Sequence, residues 1–181
     1  MDRVKTSLFD ILRPRIDGMV LLDLFAGSGS VGIEALSQGA AACTFTELGH
    51  KAVVTIRKNL ESTGMAEHAE VVHTDAFDYL KRTNKTFDLI YVAPPQYKKL
   101  WSEAVLLIDT RPEVLRAEEA TEPEGDEDES ATIAAAGMII AQIHPKEYEP
   151  LDLVHIRETR QKTYGRTLLV FYERVNAAGG E

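Results

Sequence analysis

Apolar residues recur along this chain in two rhythms, short continuous runs and stripes spaced by three or four, and their alternation outlines an α/β fold. Val4, Leu8, Phe9, Ile11 and Leu12 stand at helical spacing, which predicts an amphipathic helix over residues 4–12, stopped by Arg13-Pro14. The run from Met19 to Leu22 predicts a buried strand ending at Asp23. Residues 30–38 then read as a helix ended by Gly39, and residues 42–47 as a second strand. Residues 50–62 read as a helix with Val53, Val54, Ile56 and Leu60 inward and Gly64 as its stop. A third strand is expected over 70–74, a helix through Leu80, a nearly all-apolar fourth strand over 87–92, and a helix over 98–110. Residues 136–143 make a fifth strand. Continuous apolar strands separated by helices imply a parallel sheet covered on both faces. The end of the chain differs in kind: residues 152–160 and 166–173 are strand-like and joined at Thr163-Tyr164-Gly165, so the sheet should finish with an antiparallel hairpin.

Composition narrows this picture. A chain of 181 residues, 44% hydrophobic and 27% charged, is expected to fold as a single domain over 1–181. No apolar stretch approaches the ~20 residues of a membrane span. Met1 leads into Asp2, Arg3 and Lys5, a start unlike a secretory signal, so a cytoplasmic location is expected. Cys43 is the only cysteine, which excludes an internal disulfide and a cysteine metal cluster, and its setting predicts a small buried strand residue. The net charge of -9 is uneven, because residues 111–130 carry nine acids against Arg111 and Arg116. That acidic stretch, 111–135, is expected to be a mobile surface insertion. The rest of the chain is close to neutral, which leaves room for basic patches and an RNA partner.

Candidate chemistry centres on the glycine loop after the first strand. Gly27, Gly29 and Gly32 follow Asp23 at a spacing that also fits a dinucleotide fingerprint, with Glu47 about 20 residues beyond. Asp23 decides between ligands: a carboxylate there is poorly placed beside a pyrophosphate and well placed for the ammonium group of S-adenosylmethionine. Glu47 can accept from both ribose hydroxyls, since an ionised carboxylate is an acceptor with two oxygens. A nicotinamide-binding oxidoreductase is therefore the weaker reading. Asp75 can accept from an adenine amine, with backbone at Ala76, or serve as a helix N-cap, or both. Asp23, Glu47, Asp75 and the turn Ala93-Pro94-Pro95 all fall at strand ends, where open α/β sheets bind ligands. The two prolines stiffen that turn and remove two N–H donors, leaving carbonyls to accept from an exocyclic amine, and Tyr97 offers a flat face to an unpaired base.

The blocks Asp2-Arg3-Val4-Lys5 with Leu8-Phe9, Asp23 through Ala40, the Pro-Pro turn after Phe87-Asp88-Leu89-Ile90, and Tyr164-Gly165 with Tyr172 resemble the RsmD family, methyltransferases acting on the N2 amine of a guanine in small-subunit (16S) ribosomal RNA. The resemblance implies a class I, Rossmann-like methyltransferase fold with a seven-stranded, mostly parallel sheet and an antiparallel C-terminal hairpin strand. It implies S-adenosylmethionine as methyl donor and no metal. Expected cofactor-binding residues are Asp23, Phe25, Ala26, Gly27, Ser28, Gly29, Glu47, Leu48, Asp75 and Ala76. Expected catalytic residues are Ala93, Pro94, Pro95 and Tyr97. The expected partner is 16S rRNA or the small ribosomal subunit, met by a monomer. Candidate RNA contacts are Arg3, Lys5, Arg13 and Arg15, then Lys98, Lys99 and Trp101, then Arg157, Arg160, Lys162 and Arg166. Two positions depart from the family pattern: Ala93 replaces the Asp or Asn before the prolines, and Gln96 intervenes before the aromatic residue. The alternatives are an adenine-N6 nucleic-acid methyltransferase and a non-catalytic S-adenosylmethionine- or RNA-binding protein.

Overall fold

The computed structural model describes residues 3–118 and 135–175. Helices and strands alternate as α1 (Arg3–Leu12), β1 (Val20–Asp23), α2 (Ser30–Ser37), β2 (Ala42–Glu47), α3 (His50–Thr63), β3 (Ala69–His73), α4 (Ala76–Arg82), β4 (Leu89–Val92), α5 (Leu100–Asp109), β5 (Met138–Ile143), β6 (Ile156–Tyr164) and β7 (Thr167–Arg174). All seven strands lie in one sheet, ordered β3-β2-β1-β4-β5-β7-β6. Strands β1 to β5 pair in parallel, while β7 runs antiparallel to both β5 and β6. This is the Rossmann-like class I methyltransferase architecture, closed by a C-terminal hairpin.

The near-continuous apolar strands have a direct physical reason. Successive side chains point to opposite faces, and each face carries its own helical layer. Leu21, Cys43, Phe45, Leu89, Tyr91 and Ile140 pack with Val4, Leu8, Phe9 and Leu12 of α1 and with residues of α2 and α3. Leu22, Ile90, Val92, Ile139 and Ala141 pack with Leu80 of α4 and Trp101, Val105 and Ile108 of α5. The single cysteine is buried as expected, and burial pushes its thiol pKa up.

Four expectations need correction. Val54 is exposed, because on α3 the inward stripe runs Val53, Ile56, Leu60, and Val54 sits about 100° around the helix from Val53. Trp101 is buried at 1% exposure and stacks on Tyr148, so it is a core residue and not an RNA contact. Residues 111–118, expected in the acidic loop, include a packed segment. Val114 and Leu115 are buried, Leu115 bridges Phe87, and the Arg116 guanidinium pairs with the Asp88 carboxylate. The apolar pair outweighs the surrounding charge at that point. The rest of the acidic stretch, 119–134, lies outside the described residues.

The fourth correction concerns the hairpin, which starts later than residue 152. Asp109, buried at the end of α5, accepts from the amides of Val154 (3.0 Å), His155 (2.7 Å) and Ile156 (2.9 Å), so these donors are spent on its carboxylate and β6 begins only at Ile156. The chain reverses at Gly165-Arg166, after Thr163 and Tyr164 have paired with β7. Replacing Asp109 by Ala leaves these amides without their acceptor. Asp109→Ala should therefore lower unfolding free energy by about 2 to 4 kcal/mol, read by urea denaturation.

Candidate cofactor and substrate site

Strand order reverses between β1 and β4: the chain steps outward through β2 and β3, then returns to the other side of β1. Such a reversal opens a crevice at the carboxyl ends of the strands. The crevice contains two neighbouring cavities that share Phe25 and Ala93 as a common wall. The larger, about 660 Å³, is lined by Gly27, Glu47, Leu48, Asp75, Ala76 and Phe77 on one side and by Ala93, Pro94, Pro95, Gln96 and Lys98 on the other. The smaller, about 260 Å³, holds Asp23 together with Lys5, Ala26, Ser30, Tyr91 and Gln142.

Asp23 ends β1 at 3% exposure, and its Oδ2 accepts from the Gly32 amide at 3.2 Å. Burial pushes its pKa up to about 7; the Gly32 hydrogen bond works against that shift and the nearby Glu47 charge adds to it. A carboxylate desolvated this far is stabilised in its charged form by an incoming cation. Glu47 ends β2. Its Oε2 accepts from the Gly27 amide at 2.9 Å and its Oε1 from the Gly49 amide at 2.7 Å. Both oxygens keep further lone-pair sites. The glycine loop is thus tied to the end of β2, and Thr46 reinforces the tie by donating from Oγ1 to the Leu24 carbonyl.

Asp75 is the N-cap of α4: its Oδ1 accepts from the Phe77 amide at 2.8 Å and the Asp78 amide at 3.1 Å. Only one of its oxygens is used this way, so the cap leaves Oδ2 for a ligand in the larger cavity. Ser28 and Gly29 line neither cavity. They build the loop instead: the Ser28 carbonyl accepts from the Asn59 side chain, and Gly29 takes φ +78° to start α2. Tyr97 also lies outside both linings, exposed on the rim at 66% and with φ +63°.

Lys5, Tyr91 and Gln142 join the site, and nothing in the local sequence of Tyr91 or Gln142 marks them. Lys5, a candidate RNA contact by its charge, lines the Asp23 cavity. Gln142 accepts from the Tyr91 hydroxyl at 2.5 Å, one strand over from Ala93. A sequence signal exists only for Lys5, which lies one helical turn before Phe9 and Leu8 on the helix covering β1. The hairpin's basic residues divide: β6 runs in the same direction as β5, so Lys162 and Arg166 lie toward the crevice end of the sheet. Arg157, level with Met138, lies at the opposite end.

The family described as conserved hypothetical protein 95 matches residues 1–173. YlbH of Bacillus subtilis is 35% identical over 177 residues, which cover 96% of this chain and 85% of that protein. The ribosomal RNA small subunit methyltransferase D of Haemophilus influenzae is 40% identical over 110 residues, 59% of this chain and 57% of that protein. The chain belongs to this family, the RsmD family. The structure of yhhF from Escherichia coli superimposes with a TM-score of 0.76 at 27% identity, covering 96% of this chain and 86% of that one.

Fold and family together make this RsmD-family protein an S-adenosylmethionine-dependent methyltransferase. The buried Asp23 then has a pH consequence. A cationic ligand prefers the ionised carboxylate, so binding takes up no proton above pH 7 and requires proton release below it. S-adenosylmethionine affinity should weaken between pH 7.5 and 5.5, approaching about tenfold per unit below pH 7. Calorimetric titration at the two pH values checks this, and Asp23→Asn should flatten the dependence.

Proposed function

We propose that this protein transfers a methyl group to the N2 amine of a guanine in small-subunit ribosomal RNA, acting as a monomer in the cytoplasm. The observation that carries the reading is the shared wall of the two cavities. Ala93, at the end of β4, borders both the Asp23 cavity and the Glu47–Asp75 cavity, and Pro94-Pro95 leads directly away from it. The residues fit S-adenosylmethionine along this crevice. Asp23 suits the ammonium of its methionine part and Lys5 the carboxylate. Glu47 suits the ribose hydroxyls, with Leu48 beside it, and Asp75 with Ala76 suits the adenine. Phe25, Ala26 and Gly27 form the floor between the two halves, which Ser28 and Gly29 shape from behind. Bound there, the cofactor supplies an electrophilic methyl on a sulfonium.

The work left to the chain is alignment. The carbonyls of Ala93 and Pro94 accept the two N2 hydrogens and hold the amine, so that its lone pair faces the methyl; the other products are S-adenosylhomocysteine and one N2 proton, released to solvent. Tyr97 stacks the base once it has left its RNA context. The rate follows mainly from proximity and orientation. The choice of RNA as substrate rests on the named small-subunit relative and on the basic residues Lys98, Lys99, Lys162 and Arg166 toward the crevice end.

Ala93 favours a second reading, a binding protein without turnover, because the side-chain acceptor of the family pattern is absent. Transfer of labelled methyl from S-adenosylmethionine to unmodified small ribosomal subunits, with nucleoside analysis, separates the readings. N2-methylguanine is the expected product, and N6-methyladenine would replace this proposal with the adenine alternative. Tight donor binding without transfer, reversed by Ala93→Asp, would establish the binding reading.

A further inference from the structure

The loop leaving β4 carries two non-glycine residues in the left-handed region, Tyr97 at φ +63° and Lys99 at φ +55°. Such a conformation persists only where neighbours hold it. Pro94 and Pro95 cannot donate hydrogen bonds, so the hold must come from beyond them. It comes from the segment that follows β5. The Tyr97 amide donates to Glu147 Oε1 at 2.5 Å, and the other oxygen of the same carboxylate accepts from the His144 amide at 3.2 Å. The Tyr97 ring rests against the His144 ring, with centroids 5.7 Å apart at 39°. Lys99 adds a weaker tie through Nζ to Glu149 Oε2 at 3.6 Å.

We propose that Glu147 is a positioning residue for methyl transfer: its carboxylate clamps the loop after β4 to the end of β5 and sets the Tyr97 ring where a nucleobase can stack. The inference rests on the functional reading above. It adds a residue outside both cavities, which acts on the substrate only through Tyr97. The clamp joins two backbone amides rather than binding the cofactor, so it should govern the productive placement of the base and leave the donor site alone.

Glu147→Ala and Glu147→Gln test this, measured in methyl transfer to small ribosomal subunits, in S-adenosylmethionine affinity and in amide hydrogen exchange. Glu147→Ala should lower kcat by about tenfold or more through lost alignment, with donor affinity unchanged. Exchange should accelerate at the two clamped amides, Tyr97 and His144, and at their loop neighbours only. Glu147→Gln keeps one acceptor oxygen but faces the other amide with an N–H donor, so its rate should fall between Glu147→Ala and the wild type. Wild-type kcat in Glu147→Ala, or unaltered exchange at Tyr97, would overturn the proposal. So would donor affinity falling in step with rate, which points to a general structural role. A wild-type protein that transfers no methyl would instead remove the functional reading on which the proposal rests.

Discussion

Asp23→Asn should bind S-adenosylmethionine about 10- to 100-fold more weakly than the wild type, yet melt at a higher temperature at pH 8. Both effects come from one carboxylate. Asp23 is buried at the end of β1, receives one amide hydrogen bond from Gly32, and has its pKa pushed up to about 7 by burial. Its folded pKa lies above the unfolded value of 3.8, so the native state binds more protons between those limits. Stability therefore falls as pH rises through that window. Asparagine keeps the acceptor for Gly32 and removes the desolvated charge, which raises stability at pH 8. The gain should shrink as pH falls and vanish below the unfolded value of 3.8, near pH 3, where the wild-type carboxyl is protonated in both states. Ligand binding goes the other way, because the amide has no charge to offer an ammonium group. Thermal melts at pH 8 and pH 3, with calorimetry at pH 8, measure both arms. Unchanged affinity would place the cationic end of the ligand elsewhere.

Gly32→Ala should destabilise the fold by about 3 kcal/mol or more. A Cβ at this position would meet Phe45 Cε1 at 2.3 Å and Cys43 Sγ at 2.7 Å. Both neighbours are side chains in the core of β2, so neither can swing into solvent. Relief requires α2 to move off the sheet. The Gly32 amide that donates to Asp23 would move with it, so donor binding should fall together with stability. Urea denaturation reads the loss. Shrinking the obstacle with Phe45→Leu should restore part of it, and a double-mutant cycle would report that coupling. Additive effects of the two substitutions would show that the clash relaxes some other way.

The fold was largely legible because its signals are local and periodic. Apolar runs marked the strands of a sheet covered on both faces, and helical stripes marked its two outer layers. Val54 shows the limit of that reading: an apolar residue beside the stripe looks the same in sequence as one within it. Trp101 shows another. The pattern Lys98-Lys99-x-Trp101 suits RNA, but the first turn of α5 points its aromatic residue into the sheet's second face. Val114 and Leu115 were hidden by the acids around them, and their place is set by contact with Phe87 from a different segment.

At the site, the sequence by itself determined the chemistry on offer: a carboxylate before a glycine loop, another at the end of the second strand, and a stiff proline turn without donors. These are properties of residue type and spacing, and strand ends are visible in a linear pattern. Tertiary structure alone decided how those groups act. It buried Asp23 far enough to change its ionisation, tied both oxygens of Glu47 to loop amides, and spent one oxygen of Asp75 on a helix cap. It also brought Lys5 from the first helix and Gln142 from the fifth strand to the Asp23 cavity, and Glu147 from beyond that strand to the loop carrying Tyr97. Desolvation and hydrogen-bond partners depend on which segments meet in space: residues 5, 23 and 142 meet in one cavity, and residues 97 and 147 at its neighbouring loop, only once the sheet has ordered its strands.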